Sequence, residues 1–229
     1  DLQGILPGAQ GLRIGACTSW AGIAAASLPP ALRALQQAAL MIGGRQIQNA
    51  GTIGGNLCNA SPAADGVPPL LVLDAMVELA SGRGVRHMAL ADFITGPRQT
   101  ALQADELLTA VLVPEAALAG RSGFLKLGAR AYLVISIAMV AARLVVVRGH
   151  VTGAALAVGS CSAVARRLPE VEAMLIGAPL ADVAARIKDG AVASALTPMD
   201  DLRATAAYRA GAAAELLRRA VAELAMGAA

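Results

Sequence analysis

The chain has 229 residues, of which 56% are apolar but only 2% aromatic, and a formal net charge of +3. This length allows one large domain or two smaller ones, with cores built mainly from aliphatic side chains. The basic residues are scattered and no aromatic stacking platform is visible, which argues against nucleic-acid binding. The mean hydropathy of +0.60 is raised by the many alanines. It does not indicate a membrane span, because the longest apolar run, 131–147, contains Ser136 and Arg143 and is too short.

Motifs of hydrolytic and metal chemistry are missing. The cysteines Cys17, Cys58 and Cys161 lie far apart and the two histidines stand alone, so no iron–sulfur or zinc motif is present. Neither a nucleophile elbow nor a metalloprotease motif occurs. We assign no catalytic and no metal-binding residues, and we expect reduced thiols in a cytoplasmic protein.

The first half of the sequence mixes predicted strands and helices. Capping residues, prolines, glycines and apolar periodicity mark the boundaries of these elements. In chain order we predict a strand at 12–16, a helix from Trp20 capped by Thr18 or Ser19, a helix at 31–42, a short helix at 70–73, a hairpin of strands 76–80 and 85–90, and a strand at 107–113.

The second half begins after a polar segment at 115–123, which is the predicted domain boundary. Its predicted elements are an alternating strand within 124–130, strands at 135–147 and 151–158, a helix from Pro169 and an alanine-rich helix at about 205–226. The predicted fold class is α+β, with domains at 1–119 and 120–229. The second domain is predicted to be a three-stranded antiparallel sheet packed with helices.

Residues 43–65 contain glycines, asparagines, a Ser-Pro pair and a lone Asp, and almost no bulky side chain. Glycines allow backbone N–H groups to approach a ligand, and successive N–H groups form nests for anions. Thr52, Asn56 and Asp65 offer side-chain hydrogen bonds to a bound polar group. The alternative is a glycine-rich turn that Asn and Asp cap, and composition alone does not choose between the two.

The order of these residues is more specific than their composition. The ordered residues are Gln46, Asn49, the run Gly51-Thr52-Ile53-Gly54-Gly55-Asn56-Leu57, Ser61-Pro62 and Asp65. This pattern is neither a Walker loop nor a Rossmann fingerprint. It resembles the flavin-binding subunits of the molybdenum hydroxylases, which include xanthine dehydrogenase and carbon monoxide dehydrogenase.

The resemblance implies a set of cofactor-binding residues. Leu107 or Leu108 occupies the position at which the family packs an apolar side chain against the flavin ring, and Lys126 lies in a segment in which a lysine approaches the flavin. The plain alternatives are core leucines and a solvated strand lysine. The implied cofactor-binding residues are Gly51, Thr52, Ile53, Gly54, Gly55, Asn56, Ser61, Asp65, Leu107, Leu108 and Lys126.

The resemblance also implies a function. It predicts an FAD-binding domain of the vanillyl-alcohol oxidase type followed by a C-terminal domain like that of the CO dehydrogenase flavoprotein. The implied partners are a large subunit with molybdopterin and a small subunit with [2Fe–2S] clusters, and electrons are expected to pass through FAD to NAD or another acceptor. Two alternatives remain open, namely a flavin-free assembly module of the same fold and a stand-alone flavin oxidase.

The sequence departs from the family pattern at several places. Gln48 stands where a basic residue is common, and Ala131-Tyr132-Leu133 replaces an acidic pair. Family members carry, upstream of the strand at 12–16, a glycine-rich loop that cradles the flavin pyrophosphate. Residues 1–229 lack that loop, so we expect them to hold FAD weakly, because affinity depends on contacts from both sides.

Overall fold

Antiparallel strands form two main sheets, one in each half of the chain. The computed structural model describes residues 2–8 and 10–227. The strands are β1 (Ile5–Gly8), β2 (Gly11–Gly15), β3 (Met76–Ser81), β4 (Gly84–Ala89), β5 (Ile94–Gly96), β6 (Gln99–Thr100), β7 (Leu107–Pro114), β8 (Arg121–Leu127), β9 (Ala138–Val147), β10 (His150–Gly159) and β11 (Arg166–Arg167). The first sheet has the order β1-β2-β7-β3-β4, the second has the order β11-β10-β9-β8, and β5 and β6 form a separate hairpin.

Helices pack against both sheets. They are α1 (Trp20–Ala25), α2 (Arg33–Met41), α3 (Arg45–Ala50), α4 (Ile53–Asn59), α5 (Val67–Leu71), α6 (Leu90–Phe93), α7 (Pro169–Leu175), α8 (Asp189–Ser194) and α9 (Ala206–Met226). Ser19 caps α1 and Thr205 caps α9 through their hydroxyl oxygens, as Ser and Thr at this position commonly do. No helix in the described part of the chain is both long and apolar enough to cross a membrane.

Strand β9 is buried on both faces. Its residues alternate between two cores: Val140 and Ala142 pack with α9, whereas Met139 and Ala141 pack with the first half of the chain. A strand covered on both faces is typically a continuous apolar run, which explains the apolar part of the sequence at 138–147.

Polar contacts join the two halves where this sheet meets α2. Ser122 Oγ, at the start of β8, donates to Ala31 O at 2.6 Å and accepts from Ala34 N at 2.9 Å. The N–H of Phe124 donates to Gln37 Oε1 at 2.8 Å. These bonds satisfy buried polar groups at the interface, as close packing requires.

The α+β class and the two-part organisation are confirmed, and most predicted elements are found, but three predictions need correction. Residues 43–65 contain two helices rather than an irregular loop. The strand predicted at 135–147 begins at Ala138, because Ser136 is held in a loop by side-chain contacts. The second sheet has a fourth, two-residue strand, β11, beside the three long ones.

Acid should destabilise the protein through Glu78 on β3. Its Oε1 accepts hydrogen bonds from Arg13 Nη2 and from Thr109 Oγ1, each at 2.7 Å. These bonds lower the pKa of Glu78 from 4.5 to about 2, and the bond from Arg13 has the largest effect. Because the folded pKa lies below the unfolded one, this stabilisation is complete above the unfolded pKa and is lost as the pH falls towards 2. We expect the free energy of unfolding to decrease over that range.

The measurement is urea unfolding at several pH values, followed by the fluorescence of Trp20, the only tryptophan. The variant E78Q should show a smaller acid-induced decrease, and E170Q, at an exposed position, should behave like the wild type. An equal pH dependence in E78Q and the wild type would contradict the assignment.

Candidate functional site

The glycine-rich stretch rests on Trp20, which is 2% exposed. The N–H of Trp20 donates to Gly51 O at 3.1 Å. A Cβ on Gly51 would lie 3.3 Å from the indole Cδ1, and a Cβ on Gly66 only 2.5 Å from its Cη2. Both ends of the stretch therefore need glycine so that the backbone can approach the ring.

Thr52 begins helix α4 as its N-cap. Its Oγ1 accepts from the N–H of Gly55, and its carbonyl accepts from Asn56, both at 3.1 Å. The N–H of Ile53 donates to Thr18 O, and that of Gly54 donates to Ala16 O. The predicted nest of free N–H donors is therefore not present: in this structure the N–H groups of residues 53–56 all have protein partners.

The two adjacent glycines of α4 have different surroundings. Gly54 is buried, and a Cβ there would lie 2.7 Å from Ala16 Cβ and 2.8 Å from Ala16 O. Gly55 is exposed, and a Cβ there would meet only Thr52 Oγ1, at 3.0 Å. Gly54 therefore allows α4 to pack closely against Ala16, whereas Gly55 lies on the exposed side of the helix.

Asp65 and Lys126 form a buried ion pair between the two halves of the chain. Lys126 Nζ lies 2.6 Å from Asp65 Oδ2, and the two side chains are only 6% and 7% exposed. Ser136 Oγ donates to the other oxygen, Oδ1, also at 2.6 Å. Burial raises the pKa of Asp65, against the opposing effects of the Lys126 charge and of the hydrogen bonds from Lys126 and Ser136.

A second cluster fixes the loop that carries Ser136. Arg203 donates to Ser136 O at 3.2 Å, and Arg209, which is buried, donates to Ile137 O. Both arginines are bound to Asp201, at 2.6 Å each. The hydrogen bond from Arg203 is the main cause that lowers the pKa of Asp201. Asp201, Arg203 and Arg209 therefore hold the loop that contains Ser136 and Ile137.

The two leucines predicted to face the flavin ring lie on opposite faces of β7. Leu107 is 68% exposed at the start of β7, whereas Leu108 is 9% exposed and packs in the core. The start of β7 lies near α4, because Ala16 links them: its N–H donates to Thr109 O and its carbonyl accepts from Gly54. Leu107 is thus the member of the pair that is open to a ligand.

The remaining predicted residues play mixed parts. Ile53 is fully buried in the core, and Ser61 accepts from the N–H of Ala63 at 3.2 Å. Gly51 ends α3. Asn56 Oδ1 is buried without a hydrogen-bond partner among the described residues, next to Gly66. An unpaired buried acceptor is costly, and a ligand N–H or O–H would satisfy it.

A cavity of about 540 Å³ lies beside the N-cap of α4. Thr52 and Asn49 form one side, and Thr18 and Ser19 form another. Its lining residues carry hydroxyl and amide groups but no charged side chain. Such a wall suits the hydroxyls and phosphate oxygens of an extended polar ligand, and the volume lies within the usual range for small-molecule sites.

Sequence reasoning missed Ser136, although a signal was available. Ser136 is a polar residue inside an otherwise apolar run, and we used it only to argue against a membrane span. Its contact with Asp65 joins residues 71 apart in sequence, so nothing local could identify the partner.

The architecture is that of a two-part α+β protein with a glycine-rich helix start beside a polar cavity. Residues 1–116 match the family model described as the FAD-binding domain in molybdopterin dehydrogenase. Residues 124–224 match the model of the CO dehydrogenase flavoprotein C-terminal domain. The chain therefore belongs to the family of FAD-binding subunits of molybdopterin dehydrogenases, as the resemblance predicted.

Individual relatives agree with this assignment. The carbon monoxide dehydrogenase medium chain of Afipia carboxidovorans is 33% identical over 225 residues, 96% of this chain and 77% of the relative. The nicotinate dehydrogenase FAD-subunit of Eubacterium barkeri is 41% identical over 153 residues, 65% of this chain and 52% of the relative. The chain thus spans about half the length of that relative.

Solved structures share the fold. A CO dehydrogenase structure from Oligotropha carboxidovorans superposes with a TM-score of 0.90 at 28% identity, covering 100% of this chain and 79% of that chain. The α+β two-domain fold predicted from the sequence is therefore the fold of this family, whereas the boundary at 119/120 and the assigned cofactor-binding residues stay predictions.

Replacing Asp65 should destabilise the protein. In D65N the ammonium of Lys126 stays buried without its counter-charge, which costs about 3–5 kcal/mol. S136A should cost less, about 1–3 kcal/mol, because it leaves the ion pair and removes one hydrogen bond. Urea unfolding followed by Trp20 fluorescence measures both.

The double variant D65N/K126M should recover part of the stability lost in D65N, since it removes the unpaired positive charge of Lys126. D92N, at an exposed position, is the control and should leave the unfolding midpoint unchanged. A D65N midpoint equal to that of D92N would refute a structural role for the pair.

The two glycines of α4 should respond differently to alanine. G54A forces its Cβ against Ala16 and should cost about 1–3 kcal/mol, as overpacking does. G55A places its Cβ on an open surface and should change stability by less than about 1 kcal/mol. Thermal unfolding of the two variants checks this, and equal melting temperatures would contradict the packing difference.

Proposed function

We propose that this chain binds FAD at the start of α4 and acts as the flavin subunit of a molybdopterin-dependent dehydrogenase. The observation that carries the proposal is the match of residues 1–116 to the FAD-binding model, with Thr52, the N-cap of α4, in the wall of the polar cavity. The relatives named FAD-subunit and medium chain support it.

The residues around α4 fit a dinucleotide of this kind. Thr52 and Asn49 line the cavity with hydrogen-bonding groups for ribose hydroxyls and phosphate oxygens. Asn56 Oδ1, buried beside Gly66, has no hydrogen-bond partner among the described residues. Leu107 offers an exposed apolar side chain suited to the face of a ring.

The division of labour follows from the site. A bound flavin supplies the redox chemistry, and the chain supplies binding and orientation. We infer that electrons arrive from [2Fe–2S] clusters on a small subunit, after substrate oxidation at molybdopterin on a large subunit, and leave to NAD or another acceptor. We place this assembly in the cytoplasm.

Asp65 and Lys126 have a defined part in this proposal. Because both oxygens of Asp65 are held by protein donors, the pair fixes the second sheet against the glycine-rich stretch. It thereby orients both walls that flank the proposed flavin position. Direct contact of either side chain with the flavin remains a prediction from the resemblance.

A flavin-free assembly module is the second candidate function. The observation in its favour is that the N–H groups of residues 53–56 and both oxygens of Asp65 already have protein partners. Such a module would keep the fold and the contact surfaces while binding no cofactor. Flavin content separates the two candidates.

The test is the flavin content of the full-length protein, purified and read from its visible absorbance. When the upstream glycine-rich loop of the family is present, we expect stoichiometric FAD in the wild type and a loss of most of it in G55L, whose side chain would occupy the open surface. Residues 1–229 by themselves should hold FAD weakly. G190L is the matched control, because Gly190 is also exposed near a helix start with nothing within 4 Å of its Cβ position. G190L should retain FAD.

The melting temperature of the apo proteins provides the second readout. G55L and G190L should lie close to each other, so that a loss of FAD reflects the site and not the fold. Wild-type FAD content in G55L would refute the location, and flavin-free wild-type protein would support the assembly module instead.

A further inference from the structure

A second and larger cavity, of about 700 Å³, lies between the two halves of the chain. It shares no lining residue with the cavity beside Thr52. One wall is the face of α2 that carries Arg33 and Gln37, another is the start of β8 at Arg121, and a third is the last part of α9 around Glu223. Leu28, Pro29, Pro30, Leu40 and Leu224 supply an apolar surface.

Two arginines that line this cavity have no ion-pair partner among the described residues. Most arginines of the described chain donate to a carboxylate or carbonyl oxygen, but no such contact exists for Arg33 or Arg121 within residues 2–8 and 10–227. Arg33 also occupies the first turn of α2, which contains no acidic residue. A cation there faces the positive end of the helix dipole, so an anion at this place is favoured.

Arg121 has one compensating neighbour. Its guanidinium lies next to Gly227, at 3.1 Å from the position of a Cβ there, beside the C-terminal end of α9. The partial negative charge of a helix end neutralises only part of a full positive charge. The cavity thus keeps a positive potential from two guanidinium groups, which are the side chains best suited to bind phosphate.

The other polar side chains of the cavity, Gln36, Gln37 and Glu223, include both donors and acceptors, so they suit a ligand that has both kinds of group. Gln37 Oε1 accepts from Phe124, so its NH₂ group is left to donate into the cavity. Gln36 uses its NH₂ group on the carbonyls of α1 and of Ala26, so its oxygen is left to accept. The Glu223 carboxylate, which has no ion-pair partner among the described residues, accepts as well.

We propose that this cavity binds a nucleoside phosphate. The phosphate lies between Arg33 and Arg121, Glu223 accepts from ribose hydroxyls or an exocyclic amine, and the base packs on the prolines and leucines. Because Arg33 belongs to the first half of the chain and Arg121 to the second, the ligand stabilises their docking. This site is separate from the proposed flavin site and does not depend on it.

The test is ADP binding to the full-length protein, measured by calorimetry and by the shift in melting temperature. We expect ADP to bind and to raise the melting temperature, with inorganic phosphate binding more weakly and adenosine not at all. R33Q and R121Q should each weaken ADP binding about 10-fold or more, the effect of losing one charge-assisted hydrogen bond. R166Q, at an exposed arginine outside the cavity, should bind as the wild type does.

Two further measurements keep the result unambiguous. The melting temperatures of ligand-free R33Q and R121Q should lie close to that of R166Q, since neither residue makes a hydrogen bond or an ion pair with residues 2–8 and 10–227. G55L should bind ADP as the wild type does, which separates this cavity from the proposed flavin site. The proposal is overturned if ADP does not bind, if R33Q and R121Q bind it normally, or if phosphate alone binds as tightly as ADP.

Discussion

The buried ion pair between Asp65 and Lys126 is the constraint on which the rest of the structure depends. It removes two charges from water, which costs more than their attraction returns unless the remaining polar atoms are also bound. Ser136 completes the carboxylate, so the arrangement is satisfied only when the second sheet is correctly placed. The pair therefore contributes specificity of docking more than free energy.

The apolar part of the interface adapts to this placement through small side chains. On the face of the second sheet towards the first core, alanines such as Ala141, Ala155 and Ala157 allow a close approach. Gly159 goes further, because a Cβ there would lie 3.0 Å from Pro68 of α5. The small side chains on this face thus allow the second sheet to pack closely against the first core.

The glycine-rich stretch combines packing and exposure within one short helix. Gly54 turns its hydrogen towards Ala16, while the next residue, Gly55, is exposed. The backbone N–H groups of this turn already have protein partners. A cofactor would therefore be bound by side chains such as Thr52 and Asn56 rather than by an anion nest. A Gly-Gly pair on a helix can therefore resemble a loop motif in sequence while it fills a different structural role.

Several features could be predicted from local sequence: the cap at Ser19, the hairpin of β3 and β4, and the ordered motif at 46–65 on which the family resemblance was based. These features depend on neighbours a few residues away. The helical state of α4, the different parts of Gly54 and Gly55, and the contact of Asp65 with Lys126 and Ser136 were decided only by the tertiary structure. Each depends on atoms brought together from distant parts of the chain, and the alternation or composition around a residue does not specify which distant partner will satisfy it.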